Sequence, residues 1–568
     1  MFGFSVESAH FINADVVDFP DNGMTVFVGP NNAGKSALLR ELAERLTTYP
    51  HLAANDARWI NSVTVLKSGE EDDFLSWLQK NGMAPLVEPN DGRRYYAGPA
   101  GSDTRRISEA EVRSYWANLQ AGPIAHFLVS QQWTENRLQD QTTSHQWNQD
   151  FQPPSHPTQY LWADRGQQDK FSSLTMEAFG VPVAINRYEQ QINLQIGGTG
   201  LPDEPPPASA ELRAAYRALP LLSQQGDGMR SFVNIVLHCL VRPSPVVVID
   251  EPEAFLHPPQ AHLLGRYLAE RTPSPCQLIV ATHSLDFLNG VMESGIKDVA
   301  LVRISRAESS VSTNSLDFSE VKELSEDPFF RYSSILSGLF HDGVVICEAE
   351  GDCRFYSSVF EVAGREGRHQ SVTFMHVNGK ARLGKAVERL RKFGLPVAAI
   401  ADIDLLNDKA KMRQTISSFG GAWERVATDL NTLHSQMNAP GASRTVAEVR
   451  KEISDIIGRS KGNDVLTQFQ IEKIREAVRR PSRWSDLKRS GSAMLSGESY
   501  LALVRLLKYS ASLGLFIVPV GELESWVKDI PSSDKGRWLS QVFEHNLHLD
   551  PSEQLKEFTR DVAAHLFK

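Results

Sequence analysis

The sequence predicts an α/β protein with two α/β units in tandem, and three observations carry that expectation. First, Thr25–Val28 is a short apolar strand followed by a glycine-rich turn. From Ser36 onward Leu38, Leu39, Leu42 and Leu46 then recur at helical spacing. Second, strand-sized apolar runs return at Val246–Ile249 and Gln277–Ala281. Third, they return again at Val344–Cys347, Val397–Ala401 and Leu515–Val520, with a long charged helical texture before the last of them.

At 568 residues the chain is too long for one ordinary domain. The first unit is expected at 1–305, with a weakly patterned stretch at about 48–210. There Gln141–Gln149, Pro153, Pro154 and Pro157 read as polar loop. Polar residues from Arg306 to Ser315 open a connection expected at 306–340. The second unit is expected at 341–568, with a helical insertion at about 409–500.

Composition excludes several classes. A 41% hydrophobic and 23% charged chain is expected to be globular rather than disordered. No apolar run approaches the roughly 20 residues that span a bilayer. Met1–Glu7 lacks the basic and then apolar pattern of a signal peptide, so a cytoplasmic protein without a membrane partner is expected. Cys239, Cys276, Cys347 and Cys353 form no C-x-x-C pair, which argues against a disulfide scaffold and a zinc site. A formal net charge of −10 rules out a general basic coat but leaves room for a local basic groove.

Gly29-Pro30-Asn31-Asn32-Ala33-Gly34-Lys35-Ser36 fits G-x-x-x-x-G-K-[ST] between a strand and a helix. Such a loop wraps phosphate with backbone N–H groups at a helix N-terminus. Lys35 is expected to reach the β/γ-phosphate oxygens and Ser36 to ligate Mg²⁺. Far along the chain, Val246–Ile249 ends in Asp250-Glu251. Asp250 is expected in the magnesium shell and Glu251 against the attacking water. His283, in Ala281-Thr282-His283-Ser284, follows another strand, where it can contact the γ-phosphate or cap a helix.

Asp250-Glu251-Pro252-Glu253-Ala254-Phe255-Leu256-His257-Pro258 resembles the D-E-P-E-x-x-L-H-P run of ABC-type ATPases related to recombination and chromosome-maintenance proteins. The resemblance covers residues 1–50 and about 215–305. It implies a signature segment that completes the ATP site of a second subunit, hence a homo-oligomer with a dimer as its smallest unit. The segment departs from L-S-G-G-Q, so that Ser223 to Gly226 and Gly226-Asp227-Gly228 are both candidate alignments. Gln131 or Gln132 is the candidate glutamine of the Q-loop, the alternative being an ordinary polar strand end.

The second unit carries acids at three strand ends: Glu348 and Asp352, Asp402 and Asp404, and Glu522 and Glu524. Open α/β sheets keep their sites at these carboxyl ends. So many like charges call for cations, and oxygen-only ligands suit Mg²⁺ or Mn²⁺. Two ions about 4 Å apart would clamp the attacking and leaving oxygens of a phosphodiester.

The pattern resembles the TOPRIM domain, a Rossmann-like fold with a V-E-G-x-x-D glutamate and a D-x-D, although Cys347-Glu348-Ala349-Glu350-Gly351-Asp352 departs at two positions. Asn378-Gly379-Lys380 is similar to that family's connection between the motifs. An ABC-type ATPase followed by TOPRIM resembles the OLD (overcoming lysogenization defect) nucleases, and also Gabija-type and retron-associated defence effectors. The resemblance implies an ATP-regulated, metal-dependent DNA endonuclease in antiviral defence, with an accessory defence protein or retron component as a conceivable partner. It also implies an assisting lysine beyond the third acidic motif, for which Lys535 is the candidate and Lys528 the alternative.

Two basic clusters could follow DNA phosphates: Lys380, Arg382, Lys385, Arg389, Arg391 and Lys392, and Arg475, Arg479, Arg480, Arg483, Lys488 and Arg489 around Trp484. A second functional reading is an ATP-driven DNA clamp or sensor in which the acids are structural.

Overall fold

Parallel strands that are apolar along their whole length are stable only when both faces are covered. In the first unit Met24–Val28, Val246–Asp250 and Gln277–Ala281 are buried at every residue. They are central strands of a six-stranded sheet ordered Ser310–Leu316, Val299–Ala307, Met24–Val28, Gln277–Ala281, Val246–Asp250, Val129–Gln132. All neighbours are parallel except the Ser310–Leu316 edge. Helix Lys35–Thr47 buries Leu38, Leu39, Leu42, Ala43 and Leu46 against this core.

The computed structural model describes residues 2–47, 58–83, 85–87, 92–97, 106–118, 121–139, 142–150, 154–205, 207–241, 244–270, 276–296, 298–307, 310–326, 335–363, 371–377, 379–438, 445–458, 465–478, 483–530 and 535–567. The chain divides into two units, residues 1–328 and 329–568. Among the described residues, no helix is long and apolar enough to cross a membrane.

Two expectations change here. The polar stretch from Arg306 to Ser315 does not open a connection. Val299–Ala307 pairs with the Met24–Val28 strand, and Ser310–Leu316 folds back on it as a hairpin edge. It reads as polar because an outermost strand has an open side: Val311 and Leu316 are buried in it, while Ser312, Thr313, Asn314 and Ser315 are not. The loop expected at Gln141–Gln149 contains the strand Thr143–His145, paired with Gln191–Ile196, while Gln141 and Pro153 lie outside the described residues.

The second unit is a four-stranded parallel sheet ordered Val372–His376, Gly343–Cys347, Val397–Ala401, Leu515–Ile517. Its last strand stops short of Val520 because Pro519 has no N–H to donate, although Val518 N still reaches Ala401 O at 2.9 Å. Helices Lys409–Ser418, Glu424–Met437, Val446–Ile457, Gln468–Val478, Arg483–Ser490 and Gly497–Ser512 stand between the third and fourth strands in sequence. Glu424–Met437 packs along Gly497–Ser512 through buried Leu430, Leu433, Leu503 and Leu506.

Candidate functional site

The strand order of the first sheet puts the glycine-rich loop beside the end of the Gln277–Ala281 strand and next but one to Asp250. Asn32 and Gly34 both have positive φ, +66° and +94°, which curls the loop. A side chain at Gly34 would strike the Trp59 ring at 2.5 Å, so only glycine fits. Lys35 Nζ donates to Gly29 O at 2.8 Å and Pro30 O at 2.9 Å. Burial holds its pKa below the ordinary value, against the pull of Glu251, Glu253 and Asp250.

The Ser36 hydroxyl bonds to the Asp250 carboxylate, whose pKa burial pushes upward. Asp250 Oδ1 is buried without a hydrogen-bond partner. An orphaned carboxylate oxygen beside a hydroxyl is the donor set that Mg²⁺ accepts, so these residues fit the expected ion. Glu251 sits at φ +48°, in the left-handed region. Its Oε1 lies 3.4 Å from His283 Nδ1, and Glu253 Oε1 is 3.1 Å from the same nitrogen. Buried Glu253 also accepts from the Thr282 hydroxyl and His283 N, both at 2.8 Å. His283 is thus held by a residue whose role the sequence reading missed; its signal was an acid two positions beyond Glu251.

Ser223 lies in the 3-10 turn Leu222–Gln224, and Gly226 caps helix Asp227–Val236. A side chain at Gly226 would meet nothing within 4 Å, whereas one at Gly228 would meet Phe255 O at 2.6 Å. The turn at Ser223–Gly226 is therefore the open piece and Gly228 the packed one. Gln131 accepts from Trp133 Nε1 at 3.1 Å and Gln132 donates to Ser130 Oγ at 3.3 Å, as expected of a polar strand end. Asn31 is exposed on the outer rim of the loop.

In the second unit the parallel register brings Glu348 and Asp402, each one residue past its strand, side by side. Asp402 N donates to Glu348 Oε1 at 3.1 Å. Burial raises the Glu348 pKa to about 7, with Lys380 opposing and Asp402 assisting. Asp352 Oδ2 accepts from Ala349 N at 3.0 Å, which closes the turn after Glu348.

Two lysines stand among these acids. Lys380 Nζ pairs with Asp404 and lies 3.8 Å from Glu348 Oε2. Lys488 Nζ is 2.9 Å from Asp404 Oδ2, 3.3 Å from Asp402 Oδ2 and 3.8 Å from Glu522 Oε2. Lys488 comes from the helical insertion, and two glycines seat it. Gly521 has φ +116°, and a side chain there would strike Lys488 O at 2.0 Å. At Gly491, with φ +60°, a side chain would strike Val520 C at 2.3 Å and Pro519 O at 2.4 Å.

The donor set is all oxygen and fits Mg²⁺ or Mn²⁺ by type. Among the described residues, however, no three acid, imidazole or thiol groups converge on a point that could hold one ion. The ammonium groups of Lys380 and Lys488 instead stand among these carboxylates and pair with them.

Of the two acids that follow the Leu515–Ile517 strand, Glu522 rather than Glu524 is the one that Lys488 ties to Asp402 and Asp404. Glu524 is buried and lines a cavity of about 670 Å³ with Glu522, Arg489, Ser525 and Lys528. Lys535 opens helix Lys535–Glu544, but its side chain lies outside the described residues. So do the side chain of Arg475 and the whole of Asn378, Arg479 and Arg480. In the first basic cluster Arg391 is turned inward, donating to Phe419 O at 3.0 Å and Leu513 O at 2.6 Å, so it does not face DNA. Trp484 is likewise buried, with Nε1 3.3 Å from Asn438 Oδ1, and offers no stacking face.

Comparison with known proteins now bears on both sites. Residues 208–289 match the AAA domain model described as putative AbiEii toxin, type IV toxin–antitoxin system. Residues 339–404 match the overcoming lysogenization defect protein-like TOPRIM domain. The architecture is OLD-like, an ATPase followed by a TOPRIM domain. One curated relative, the Old nuclease of Escherichia phage P2, is 24% identical over 168 residues, 29% of this chain. The match spans only 28% of the phage protein's length. Among solved structures, an SMC head bound to the C-terminal winged-helix domain of ScpA is 14% identical at a TM-score of 0.33. It covers 56% of this chain and 99% of its own. The SMC head domain from Thermotoga maritima is also 14% identical, at a TM-score of 0.28, covering 55% and 99%. Both scores are too low to speak for function. The acids of the OLD-like TOPRIM unit up to Asp404 fall inside the matched span; Lys488 and Glu522 fall outside it.

Proposed function

We propose that this OLD-like protein is an ATP-regulated, divalent-metal-dependent DNA endonuclease acting in the cytoplasm of a prokaryote, in antiviral defence. The observation that carries the nuclease reading is the meeting of Glu348, Asp402, Asp404 and Glu522 from three adjacent strand ends, in a unit that matches an OLD-like TOPRIM domain. The defence role follows from that OLD likeness alone.

In the acidic site a bound Mg²⁺ or Mn²⁺ supplies Lewis-acid polarisation of the phosphodiester and stabilises charge on the leaving oxygen. Asp402, Asp404 and Glu522 would hold it in competition with Lys380 and Lys488, whose ammonium groups pair with the same acids. Water attacks phosphorus, the P–O bond to the leaving sugar breaks, and a proton must reach that oxygen. Glu348, with its raised pKa, is the group suited to hold and pass a proton. Arg489 and Lys528, beside the same cavity, suit flanking phosphates.

In the ATP site Lys35 and the loop N–H groups bind phosphate, and Ser36 with Asp250 would hold Mg²⁺. Glu251 takes the proton of the attacking water, and His283 lies beside it. A second copy presenting the Ser223–Gly226 turn is the proposed partner, together with DNA and any accessory defence protein.

The test is nicking of supercoiled plasmid with Mg²⁺ or Mn²⁺, with and without ATP, beside an ATPase assay on the same preparation. Cleavage by the parent protein that disappears in Asp402→Ala supports the reading. A specific observation favours the second reading, an ATP-driven DNA clamp: ammonium groups already neutralise the acids, as they do in a structural ion-pair cluster. DNA binding and ATP hydrolysis with no cleavage in any metal would select it.

A further inference from the structure

Arg137 is 1% exposed, in the 3-10 turn Asn136–Leu138. A guanidinium cannot shed its charge, so burying it is costly unless acids and acceptors surround it. The acids of the ATP site supply the charge: Glu253, Asp250 and Glu251 all act on it. Its hydrogen bonds are more selective. Nη2 donates to Glu251 O at 2.8 Å and to the Thr134 hydroxyl at 2.9 Å. That hydroxyl in turn reaches Asp250 O at 3.3 Å. Nε and Nη1 are buried without partners.

The carbonyl that Arg137 grips belongs to a strained residue. Glu251 holds φ +48°, a region that residues with a side chain rarely enter and that surrounding contacts must maintain. Three contacts do so: Glu251 N donates to Ala281 O at 2.8 Å, and Glu251 O accepts from Ala254 N at 3.0 Å as well as from Arg137. The first two are main-chain bonds of the strand end and the following turn. Arg137 is the side chain that completes the clamp.

The main chain of the same turn is bonded to helix Asp227–Val236, which follows the Ser223–Gly226 turn. Asn234 Nδ2 donates to Arg137 O at 2.6 Å, and Arg230 donates to Leu138 O. One short turn therefore touches the hydrolytic glutamate through a side chain and the signature helix through its backbone.

Resting on the ATPase reading above, we infer that Arg137 is a positioning residue for ATP hydrolysis. It holds Glu251 in its left-handed conformation and links that conformation to the placement of helix Asp227–Val236. Arg137 does not touch nucleotide in this account; it acts through Glu251.

The test uses the full-length protein. Mant-ATP affinity, kcat for ATP, and thermal midpoint are compared for the parent, Arg137→Met, Arg137→Lys and Asn234→Ala. Expected are mant-ATP Kd values within about threefold of the parent throughout, with kcat down about a hundredfold in Arg137→Met. Arg137→Lys, keeping charge and one donor, should recover part of that and stand about tenfold below the parent. Asn234→Ala, which loosens only the link to the helix, should lower kcat about threefold to tenfold. A folded Arg137→Met with the parent's kcat overturns the inference. So does a Kd that weakens in step with kcat, because that is loss of the site rather than misplacement of the glutamate. If Arg137→Met does not fold, Arg137→Lys decides alone: kcat within threefold of the parent overturns the inference. A parent protein that binds mant-ATP but shows no hydrolysis sensitive to Glu251→Gln instead sinks the underlying ATPase reading.

Discussion

The nucleotide site and the acidic site are built on the same plan and differ in where along the chain each takes its lysine from. Each sits at the carboxyl ends of parallel strands and sets buried carboxylates against lysine. In the first, Lys35 belongs to the loop that follows its own strand, and its amine folds onto carbonyls five and six residues away. In the second, Lys488 lies 84 residues beyond the Asp404 it pairs with, on a helix of an insertion. A local motif brings its cation with it, whereas an assembled site has to import one, and here two close glycine contacts do the importing.

That difference can be broken from either side. The largest effect is expected for Asp402→Ala, which removes an acid that pairs with Lys488 and whose backbone Glu348 holds. Plasmid nicking should fall about a thousandfold or more while ATP hydrolysis stays near the parent rate. Equal loss of both activities would mean the two sites do not work as separate chemistries. Next, Glu251→Gln should slow ATP turnover about a hundredfold with nucleotide binding retained, since water loses its base. Steady-state hydrolysis and mant-ATP titration on one preparation check this.

The imported lysine is tested by Lys488→Met. In the metal-free protein it leaves Asp402, Asp404 and Glu522 facing one another with one ammonium fewer, so the thermal midpoint should drop by a few degrees. Added Mn²⁺ should restore the midpoint more in the variant than in the parent, because the ion no longer competes with an ammonium group. Thermal melts with and without Mn²⁺ read this directly; an unchanged difference between the two proteins would remove Lys488 from the site. Gly521→Ala attacks the same lysine through its seat. A side chain colliding with Lys488 O at 2.0 Å, at φ +116°, should cost about 1–3 kcal/mol of stability. Chemical denaturation measures it. The smallest effect is expected for Lys528→Ala, on the cavity rim, with nicking lowered about threefold and a weaker dependence on salt.

Much of the nucleotide site was legible because its chemistry is contiguous. Gly29 to Ser36 and Asp250 to Glu253 each carry their geometry in a few neighbouring residues, set by a strand, a turn and a helix start. Reading failed where the meaning of a residue depends on what lies across from it. Arg306 to Ser315 read as a connection because polarity marks both a loop and an edge strand, and only pairing with Val299–Ala307 tells them apart. Trp484 and Arg391 read as DNA-facing because charge and aromaticity on a helix do not say which face is buried.

By itself the sequence determined the two α/β units, the glycine-rich loop between a strand and a helix, and acids at the ends of three strands, since strand-length apolar runs and i, i+2 spacing are local properties of the chain. Only the tertiary structure decided which acids meet, that Lys380 and Lys488 stand between them, and that Arg137 reaches the carbonyl of Glu251. The physical reason is the same in each case. Strand order and close glycine packing bring together groups separated by tens to more than a hundred residues, and a charge buried at such a junction is tolerable only beside the opposite charge that the fold carries to it.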